Sequence, residues 1–391
     1  MAKNAQGSSQ KRAKKLAAKK LAISDFSPEI EVVGHSTPLS LDEQKQVKST
    51  LKVCSLTKIK TLTSSIHLNK ELEGLCDLTV MDWPYYGKLK ATFAPLFKLR
   101  CLRRALTSYD ILHIQYDIAG YMPLFLPVLW LLSPFKRAKI VMTLHEKYDN
   151  VPLASLVIAF HNLWYRQADA LLVHTQEHKD FLAQSLHSRI HVVPHGVIEA
   201  PGVKHRFDSD TILLAGYVNA WKGHDLAVKA MPAVIKEVPT AKLLVLSRSN
   251  DLEYEDAVKK TIEELHLKGC VEWNDKRIEE SEMFAFFDKS AISLLPYRRI
   301  TMSGILSHTL SRGVPAVMSD LPPFIEVTKG KAVYFKSRDP EDLSKKLIGL
   351  LKDKALQKRM SADFIALAKE YAWSSMALMT LNVYNELTET S

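Results

Sequence analysis

The sequence has few cysteines, and none of them is placed to bind a metal or to build a disulfide framework. The four cysteines of this 391-residue chain are scattered, without a CxxC pair and without a histidine at zinc-ligand spacing. They are Cys54, Cys76, Cys101 and Cys270. Free thiols of this kind are typical of a reducing compartment. We therefore expect a cytoplasmic protein.

Long apolar runs are also missing. The longest, residues 121–134, spans 14 residues and contains three prolines. It is too short and too broken to cross a bilayer. We expect it to form a helix that packs in the core or a surface helix that touches a membrane. Because no apolar segment follows the N-terminal charges, we do not expect a secretory signal.

Acidic residues are absent from the first 20 residues, which carry seven lysines and arginines. Most of the net charge of +10 therefore lies there. We interpret residues 1–46 as a disordered, solubilising basic tail. Attraction of residues 1–20 to anionic lipid headgroups, about 1 kcal/mol per basic residue, is a second interpretation. No nucleic-acid partner is expected, because no aromatic residue precedes Phe26 and no recognition motif accompanies the charge.

After the tail, short apolar runs alternate with longer amphipathic stretches. This alternation predicts parallel sheets with crossover helices. The predicted strands of the first half are Leu51–Leu56, Leu78–Met81, Ile111–Gln115, Lys139–Leu144, Ala170–His174 and His191–Pro194. Those of the second half are Thr211–Ala215, Lys242–Ser247, Cys270–Trp273, Ala291–Pro296, Val314–Ser319 and Ala332–Phe335.

A segment rich in helix breakers, residues 194–202, indicates a linker between two domains. The expected fold class is α/β, with two Rossmann-like domains facing across a cleft. The first comprises residues 47–197 and is completed by a C-terminal helix, 374–391. The second comprises residues 205–373. The ligand is expected in the cleft, at the carboxyl ends of the strands.

Two glycine-bearing turns in the second domain carry the strongest functional signal. The first runs from Gly216 to Gly223, with Lys222 beside the second glycine, and the other contains Ser303 and Gly304. Free backbone amides at the start of a helix, together with cations, are what a diphosphate requires. Two such turns, about 85 residues apart, predict a nucleotide-diphosphate site.

These turns and four further blocks resemble the retaining glycosyltransferases of family 4, which have the GT-B fold of two Rossmann-like domains. The blocks are Asp110–Gln115, Thr143–Glu146, His191–Val197, Gly216–Gly223, Ser303–Asp320 and Tyr371–Ser375. The resemblance implies a hexosyltransferase that moves a sugar from a nucleotide-diphosphate sugar to a hydroxyl of a glycan or lipid-linked acceptor. It implies no cofactor and no metal, since the nucleotide sugar is a substrate and the diphosphate is held by cations and helix dipoles.

The resemblance also implies donor-side roles, of which that of Lys222, as diphosphate ligand and catalytic residue, is the clearest. As an alternative, Lys222 is an ordinary surface lysine. The remaining donor-side candidates are Gly216, Tyr217, Arg248, Arg298, Arg299, Ser303, Gly304 and His308. The amides of Ser303 and Gly304 would meet the donor phosphates.

Three positions depart from the family's pattern. Ile300 and His308 stand where the family usually has glutamates that seat the sugar and the ribose, and Tyr217 or Asn219 stands where it has an arginine. Arg298 or Arg299 would supply the missing charge, or both are solvated loop residues. His308 would donate to a ribose hydroxyl, or it packs against another helix.

On the acceptor side, His145 follows a strand and is implied to lie beside the transferred sugar, as the second catalytic candidate. Glu146 would orient His145 or hold acceptor hydroxyls, or it caps the next helix. His113 is a further acceptor-side candidate, with a buried core histidine as the alternative. Residues 58–65 replace the family's Gly-Gly turn, so we expect an unusual acceptor side.

Two other functions fit the sequence. One is a different GT-B chemistry, such as a sugar-nucleotide epimerase or a phosphorylase. The other is a catalytically degenerate scaffold, which the missing glutamates and arginine favour.

Overall fold

The computed structural model describes residues 48–57, 63–82, 99–116, 125–147, 154–199, 207–276, 278 and 280–389. The predicted tail, residues 1–46, lies outside the described residues. So do residues 58–62, the first part of the segment that replaces the Gly-Gly turn.

The N-terminal half is built on a parallel sheet of six strands in the order β2-β1-β3-β4-β5-β6. The strands are β1 Lys52–Thr57, β2 Asp77–Asp82, β3 Ile111–Tyr116, β4 Lys139–Leu144, β5 Ala170–Val173 and β6 Ile190–Val192. The helices among the described residues are α1 Thr63–Leu75, α2 Leu99–Ser108, α3 Phe125–Leu132, α4 Ala154–Tyr165 and α5 Gln176–Phe181.

Both faces of this sheet are covered, which explains why its strands read as continuous apolar runs. Because side chains alternate along a strand, Val53 packs in the cluster that includes α1, whereas the next residue, Cys54, packs on the other face. That second face is covered by α2, α3 and α4, through residues such as Leu102, Phe125 and Tyr165.

The C-terminal half contains a second parallel sheet of six strands, in the order β12-β11-β10-β7-β8-β9. The strands are β7 Thr211–Ala215, β8 Lys242–Leu246, β9 Val271–Asn274, β10 Ile292–Leu295, β11 Ala316–Ser319 and β12 Val333–Phe335. The helices are α6 His224–Glu237, α7 Leu252–Glu264, α8 Glu280–Lys289, α9 Gly304–Ser311, α10 Pro322–Thr328, α11 Pro340–Lys352, α12 Lys354–Glu370 and α13 Trp373–Glu389.

The last helix, α13, leaves the C-terminal half and packs against α1 of the N-terminal half. Beside its first turn, the linker residue Val197 donates its N–H to the carbonyl of Tyr371 at 2.7 Å. Gly196 passes so close to Trp373 that a Cβ atom at this position would collide with the indole ring. The two crossings between the halves therefore lie side by side.

The predicted fold class is confirmed: two parallel sheets with flanking helices are present, and each of the twelve predicted strands overlaps an observed strand. The apolar segment 121–134 contributes α3, while residues 121–124 lie outside the description. None of the helices in the described part of the chain combines the length and apolarity that a membrane crossing requires.

Candidate functional site

The two glycine-bearing turns of the C-terminal half lie against each other at Gly216. This residue follows β7 with a φ of 114°, a backbone conformation that favours glycine. A Cβ atom on Gly216 would lie 3.5 Å from Cγ1 of Ile305, in the first turn of α9, and 3.9 Å from Nζ of Lys222. The turn that carries Lys222 and the N-terminus of α9 are therefore neighbours.

Lys222 is positioned by a tight turn between β7 and α6. The 3-10 turn Ala220–Lys222 is capped by Asn219, whose side chain accepts the N–H of Lys222 at 3.2 Å. Gly223 follows with a φ of 75°, and a Cβ atom there would collide with the carbonyl of Pro296. Only glycine fits at this position, and the turn directs the lysine side chain inward.

The Lys222 ammonium group is held by aromatic rings. Its Nζ lies 3.7 Å from the ring centroid of Tyr297 and 4.6 Å from that of Trp221, which is cation–π geometry. The residue is only 8% exposed, and burial lowers its pKa to about 7. No ion pair joins it to an acid within the described ranges. Its charge is therefore available to an incoming anion.

Ser303 begins α9 and connects it to the lysine site. Its Oγ accepts the N–H of Leu306 at 3.3 Å and lies 3.3 Å from the Tyr297 hydroxyl. The amides of the first helical residues, Gly304 and Ile305, have no carbonyl partner within the helix. Gly304 is exposed. The positive end of α9 thus opens next to Lys222, an arrangement suited to a phosphate group.

Arg298 was a candidate for the positive charge that binds the donor, but in the structure it is paired within the protein. Its Nη2 donates to both carboxylate oxygens of Asp225 at 2.8 Å, and its Nη1 donates to the carbonyl of Ala220. Burial raises the pKa of Asp225, but hydrogen bonds from Tyr254 and Arg298 outweigh it and hold the pKa below its usual value. The charge of Arg298 is thus already matched, and the residue clamps two turns together.

The remaining donor-side candidates have different surroundings. Tyr217 and Arg248 are exposed at the carboxyl ends of the neighbouring strands β7 and β8. Arg299 is exposed, with its guanidinium carbon 5.8 Å from the Trp221 ring centroid. His308 packs against two phenylalanine rings of α8, at centroid distances of 5.6 and 5.8 Å. For His308 the structure favours the helix-packing alternative.

In the N-terminal half, a buried hydrogen-bonded chain surrounds His145. It begins at Tyr384, whose Oη lies 2.5 Å from His113 Nδ1. The other ring nitrogen of His113, Nε2, lies 2.7 Å from Thr143 Oγ1 and 3.2 Å from Gln115 Nε2. Gln115 Oε1 lies 3.0 Å from His145 Nε2, and His145 Nδ1 lies 3.2 Å from His174 Nε2. The chain ends where His174 Nδ1 donates to the carbonyl of Val193 at 2.9 Å.

Two proton arrangements satisfy this chain. If His145 Nε2 donates to Gln115, then one of the two rings must be protonated on both nitrogens, so the pair of histidines carries a positive charge. If both rings are neutral, His145 donates to His174 and accepts from the amide NH₂ of Gln115, turned by 180°. Burial lowers the pKa of both histidines. The neutral arrangement is therefore favoured, and both ring nitrogens of His145 are engaged within the protein.

His113 and Glu146, the two acceptor-side candidates, are placed differently. His113 is fully buried, and burial lowers its pKa to about 3. With both ring nitrogens bonded inside the core, it cannot contact an acceptor, and the core-histidine alternative describes it. Glu146 is exposed and follows His145 directly.

Two cavities border the histidine chain. The first includes His145 and His174 in its lining, and the second is lined from both halves of the protein. The second is bounded by His174, Thr175 and His195 on one side and by Ile300, Ser303 and Leu306 on the other. The halves are also joined directly, since Glu326 accepts the N–H of Gln176 at 2.6 Å.

Tyr297, His174 and His195 were not predicted from the sequence. His174 follows β5 just as His145 follows β4, so the rule that strand ends expose functional side chains could have found it. Tyr297 was hidden because an aromatic residue after an apolar strand indicates only packing. No group of three or more potential metal ligands occurs within the described ranges.

Two family models match the chain, one on each half. The model described as Glycosyltransferase Family 4 matches residues 62–200, and the model described as Glycosyl transferases group 1 matches residues 209–353. Together they cover more than two thirds of the sequence.

Curated relatives match over most of their length. The chain is 22% identical over 347 residues to a D-inositol 3-phosphate glycosyltransferase of Corynebacterium glutamicum, covering 80% of this chain and 82% of that protein. It is 22% identical over 314 residues to a phosphatidyl-myo-inositol mannosyltransferase of Mycobacterium leprae, covering 77% and 80%.

Solved structures share the fold at low identity. Sucrose-phosphate synthase from Thermosynechococcus elongatus has a TM-score of 0.69 at 14% identity, over 87% of this chain and 100% of that one. The Anabaena protein HepE, solved with UDP and glucose, has a TM-score of 0.68 at 11% identity, over 86% and 100%.

The two Rossmann-like halves have the GT-B fold of these solved structures, and the two family models identify the chain as a glycosyltransferase of this class. The chain belongs to glycosyltransferase family 4. Nothing in the comparisons supports an epimerase, a phosphorylase or a degenerate scaffold.

The buried chain around His113 predicts the effect of removing one hydroxyl group. Replacing Tyr384→Phe leaves a ring nitrogen of His113 without its partner in the core. We expect the free energy of unfolding to fall by about 1–3 kcal/mol, measured by chemical denaturation. Tyr109→Phe, outside this chain of contacts, is the control, with an expected change below about 0.5 kcal/mol. Equal stability of the two variants would contradict this account of His113.

Proposed function

We propose that this glycosyltransferase is retaining and metal-independent, and that it transfers a hexosyl group from a nucleotide-diphosphate sugar to a hydroxyl of a glycan or lipid-linked acceptor. The observation that carries the proposal is the meeting of the Lys222 ammonium and the N-terminus of α9 at Gly216. Support for the donor class comes from HepE, solved with UDP and glucose. Support for an acceptor carrying inositol or lipid comes from the names of the curated relatives.

The charge that develops during transfer determines what the site must supply. As the bond to the sugar breaks, positive charge grows on the sugar ring and negative charge on the leaving diphosphate. Lys222 and the amides of Gly304 and Ile305 are fixed before the reaction and lie where they can stabilise that diphosphate. Preorganised donors of this kind are a principal source of rate enhancement. A lysine and a helix end together supply the positive charge for which other enzymes use a metal ion.

On the acceptor side, we assign His145 to positioning. Its ring is fixed by Gln115 and His174, and it borders the first of the two cavities described above. The leaving phosphate can accept the proton of the acceptor hydroxyl, so the reaction does not require a side chain as general base. Closure of the cleft would exclude water and limit hydrolysis of the donor.

The four cysteines form no disulfide, which supports a location in the cytoplasm.

The function is tested by following the anomeric proton of the product by NMR, after a panel of nucleotide sugars has identified the donor by thermal shift. We expect the product to have the same anomeric configuration as the donor, and the rate to be unchanged by excess EDTA. An inverted product would exclude retention, and loss of the rate on chelation, restored by a divalent ion, would exclude metal independence.

The role of Lys222 predicts a large kinetic effect. We expect Lys222→Ala to lower turnover by about 10²-fold, the size of losing one preorganised donor, and to weaken binding of the donor in calorimetry. Lys236→Ala is the matched control, because this lysine is exposed on α6 and lies outside the Asp225 pairing. Full turnover in the Lys222 variant would remove the residue from the mechanism.

Burial of Lys222 also predicts how donor binding depends on pH. The pKa of about 7 belongs to the protein without ligand, and a bound diphosphate would stabilise the charged form and raise that pKa. Below pH 7 the lysine is charged in both states and affinity is constant. Above pH 7 binding requires proton uptake, so affinity falls, approaching tenfold per pH unit.

The measurement is calorimetric titration of the donor between pH 7 and 9. Lys222→Arg is the control, because a guanidinium group stays charged over this range. The affinity of this variant should not change with pH, apart from any contribution that ionisation of the ligand makes to both proteins. A wild-type profile as flat as that of the variant would show that Lys222 is charged without the ligand.

A further inference from the structure

Six large apolar side chains are exposed on the helices that cover the outer face of the N-terminal sheet. They are Trp130, Leu131 and Phe135, from α3 and the turn after it, and Leu156, Phe160 and Leu163, from α4. Phe135 is 72% exposed and Leu156 is 65% exposed. We call these six residues the apolar face.

The apolar face is continuous across the two helices. Leu156, Phe160 and Leu163 follow the spacing i, i+4, i+7, so they form one stripe along α4. The ring centroid of Trp164 lies 5.7 Å from that of Phe160 and 6.1 Å from that of Trp130, which joins the stripe to α3. Single exposed apolar residues are ordinary, but a contiguous set marks an interaction surface.

Positive charge borders the apolar face. Helix α2 packs beside α3 and buries Leu102, Ala105 and Leu106 toward the sheet, while the three arginines Arg100, Arg103 and Arg104 point away from it. Arg137 and Arg166, which follow α3 and α4, are exposed as well.

No negative charge offsets these arginines on the same helices. The sequences 99–108, 125–138 and 154–166 contain no aspartate or glutamate. In the adjoining loops that the structure describes, Asp169 is paired with Lys136 at 2.5 Å, Asp110 lies 3.9 Å from Arg137, and Glu146 is exposed before α4. The sequence adds Asp117 before α3 and Asp149 before α4. The outer helical layer therefore combines an apolar centre with a basic border.

We propose that the apolar face inserts into the headgroup region of an anionic bilayer and that the arginines around it bind the lipid headgroups. Apolar and aromatic side chains at that depth, with basic residues beside them, are the features of a surface-bound membrane protein. The proposal places the membrane contact on folded helices of the N-terminal half, beyond the basic tail. It does not depend on the sugar chemistry proposed above.

Charge favours the bilayer over two other occupants of the apolar face, a second copy of the protein and the protein's own basic tail. A symmetric contact with a second copy would bring the same patch of both molecules together, and with it their arginines. Residues 1–20 are themselves basic and acid-free, so they are repelled by the arginine border and attracted to the same anionic surface.

The test uses the full chain and vesicles of phosphatidylcholine with or without phosphatidylglycerol. One variant, Leu131→Ser/Phe135→Ser/Leu163→Ser, removes exposed apolar groups, and another, Arg103→Glu/Arg104→Glu, reverses charge. Matched controls on the C-terminal half are Leu252→Ser, at a residue 73% exposed, and Lys345→Glu/Lys346→Glu, at two exposed lysines. Thermal unfolding of each variant checks that it folds.

We expect the apolar triple variant to lower partitioning onto anionic vesicles at least about tenfold, and the arginine variant to lower it about fivefold per charge removed. The controls should bind like the wild type. Brominated lipids distinguish insertion of the apolar face from binding through the tail alone. If the face inserts, they should quench the tryptophan emission of the wild type more than that of Trp130→Phe.

Three results would overturn the proposal. These are unchanged partitioning of the apolar triple variant, bound protein whose Trp130 emission the brominated lipids do not quench, and a concentration-dependent dimer in light scattering that the triple variant abolishes. The last would assign the apolar face to contact between two copies.

Discussion

The site depends on a lysine that is buried without an acidic partner among the described residues. Transfer of an ammonium group from water into a protein interior is costly unless something replaces its hydration. Here the faces of Tyr297 and Trp221 do so only in part, and the pKa of Lys222 falls to about 7. A carboxylate in their place would hold the charge more firmly but would repel the diphosphate. The aromatic rings leave the charge to be completed by the ligand.

The surroundings of Lys222 hold its position rather than its charge. Gly223 lies where no larger residue fits, and the ion pair between Arg298 and Asp225 ties the turn after β10 to the start of α6. The arginine whose charge was expected to serve the donor therefore supports the residue that does. The same division occurs in the N-terminal half, where buried His113 supports Gln115, which in turn orients His145.

The alternation of apolar runs was sufficient to predict both sheets, because parallel strands buried on two faces leave a strong signal. The turns at Gly216 and Ser303 were also predictable, because glycines flank the lysine and follow strand ends; without those glycines, an ordinary surface lysine would explain Lys222 equally well. The pairing of Arg298 with Asp225 could not be read, because the two residues lie 73 positions apart and meet only when the sheet forms. The same holds for Tyr384 and His113, which are 271 positions apart. Long-range partners decide whether a polar side chain serves a ligand or the core.

The return of α13 to the N-terminal half makes the two halves interdependent. The helix fills one wall of the core around α1, so a chain cut after Ala372 would lose part of the domain farthest from the cut in sequence. Because the linker at Gly196 and the start of α13 at Trp373 run side by side, both crossings of the chain between the halves lie at one place. A rotation of one half relative to the other would therefore have to bend both crossings together.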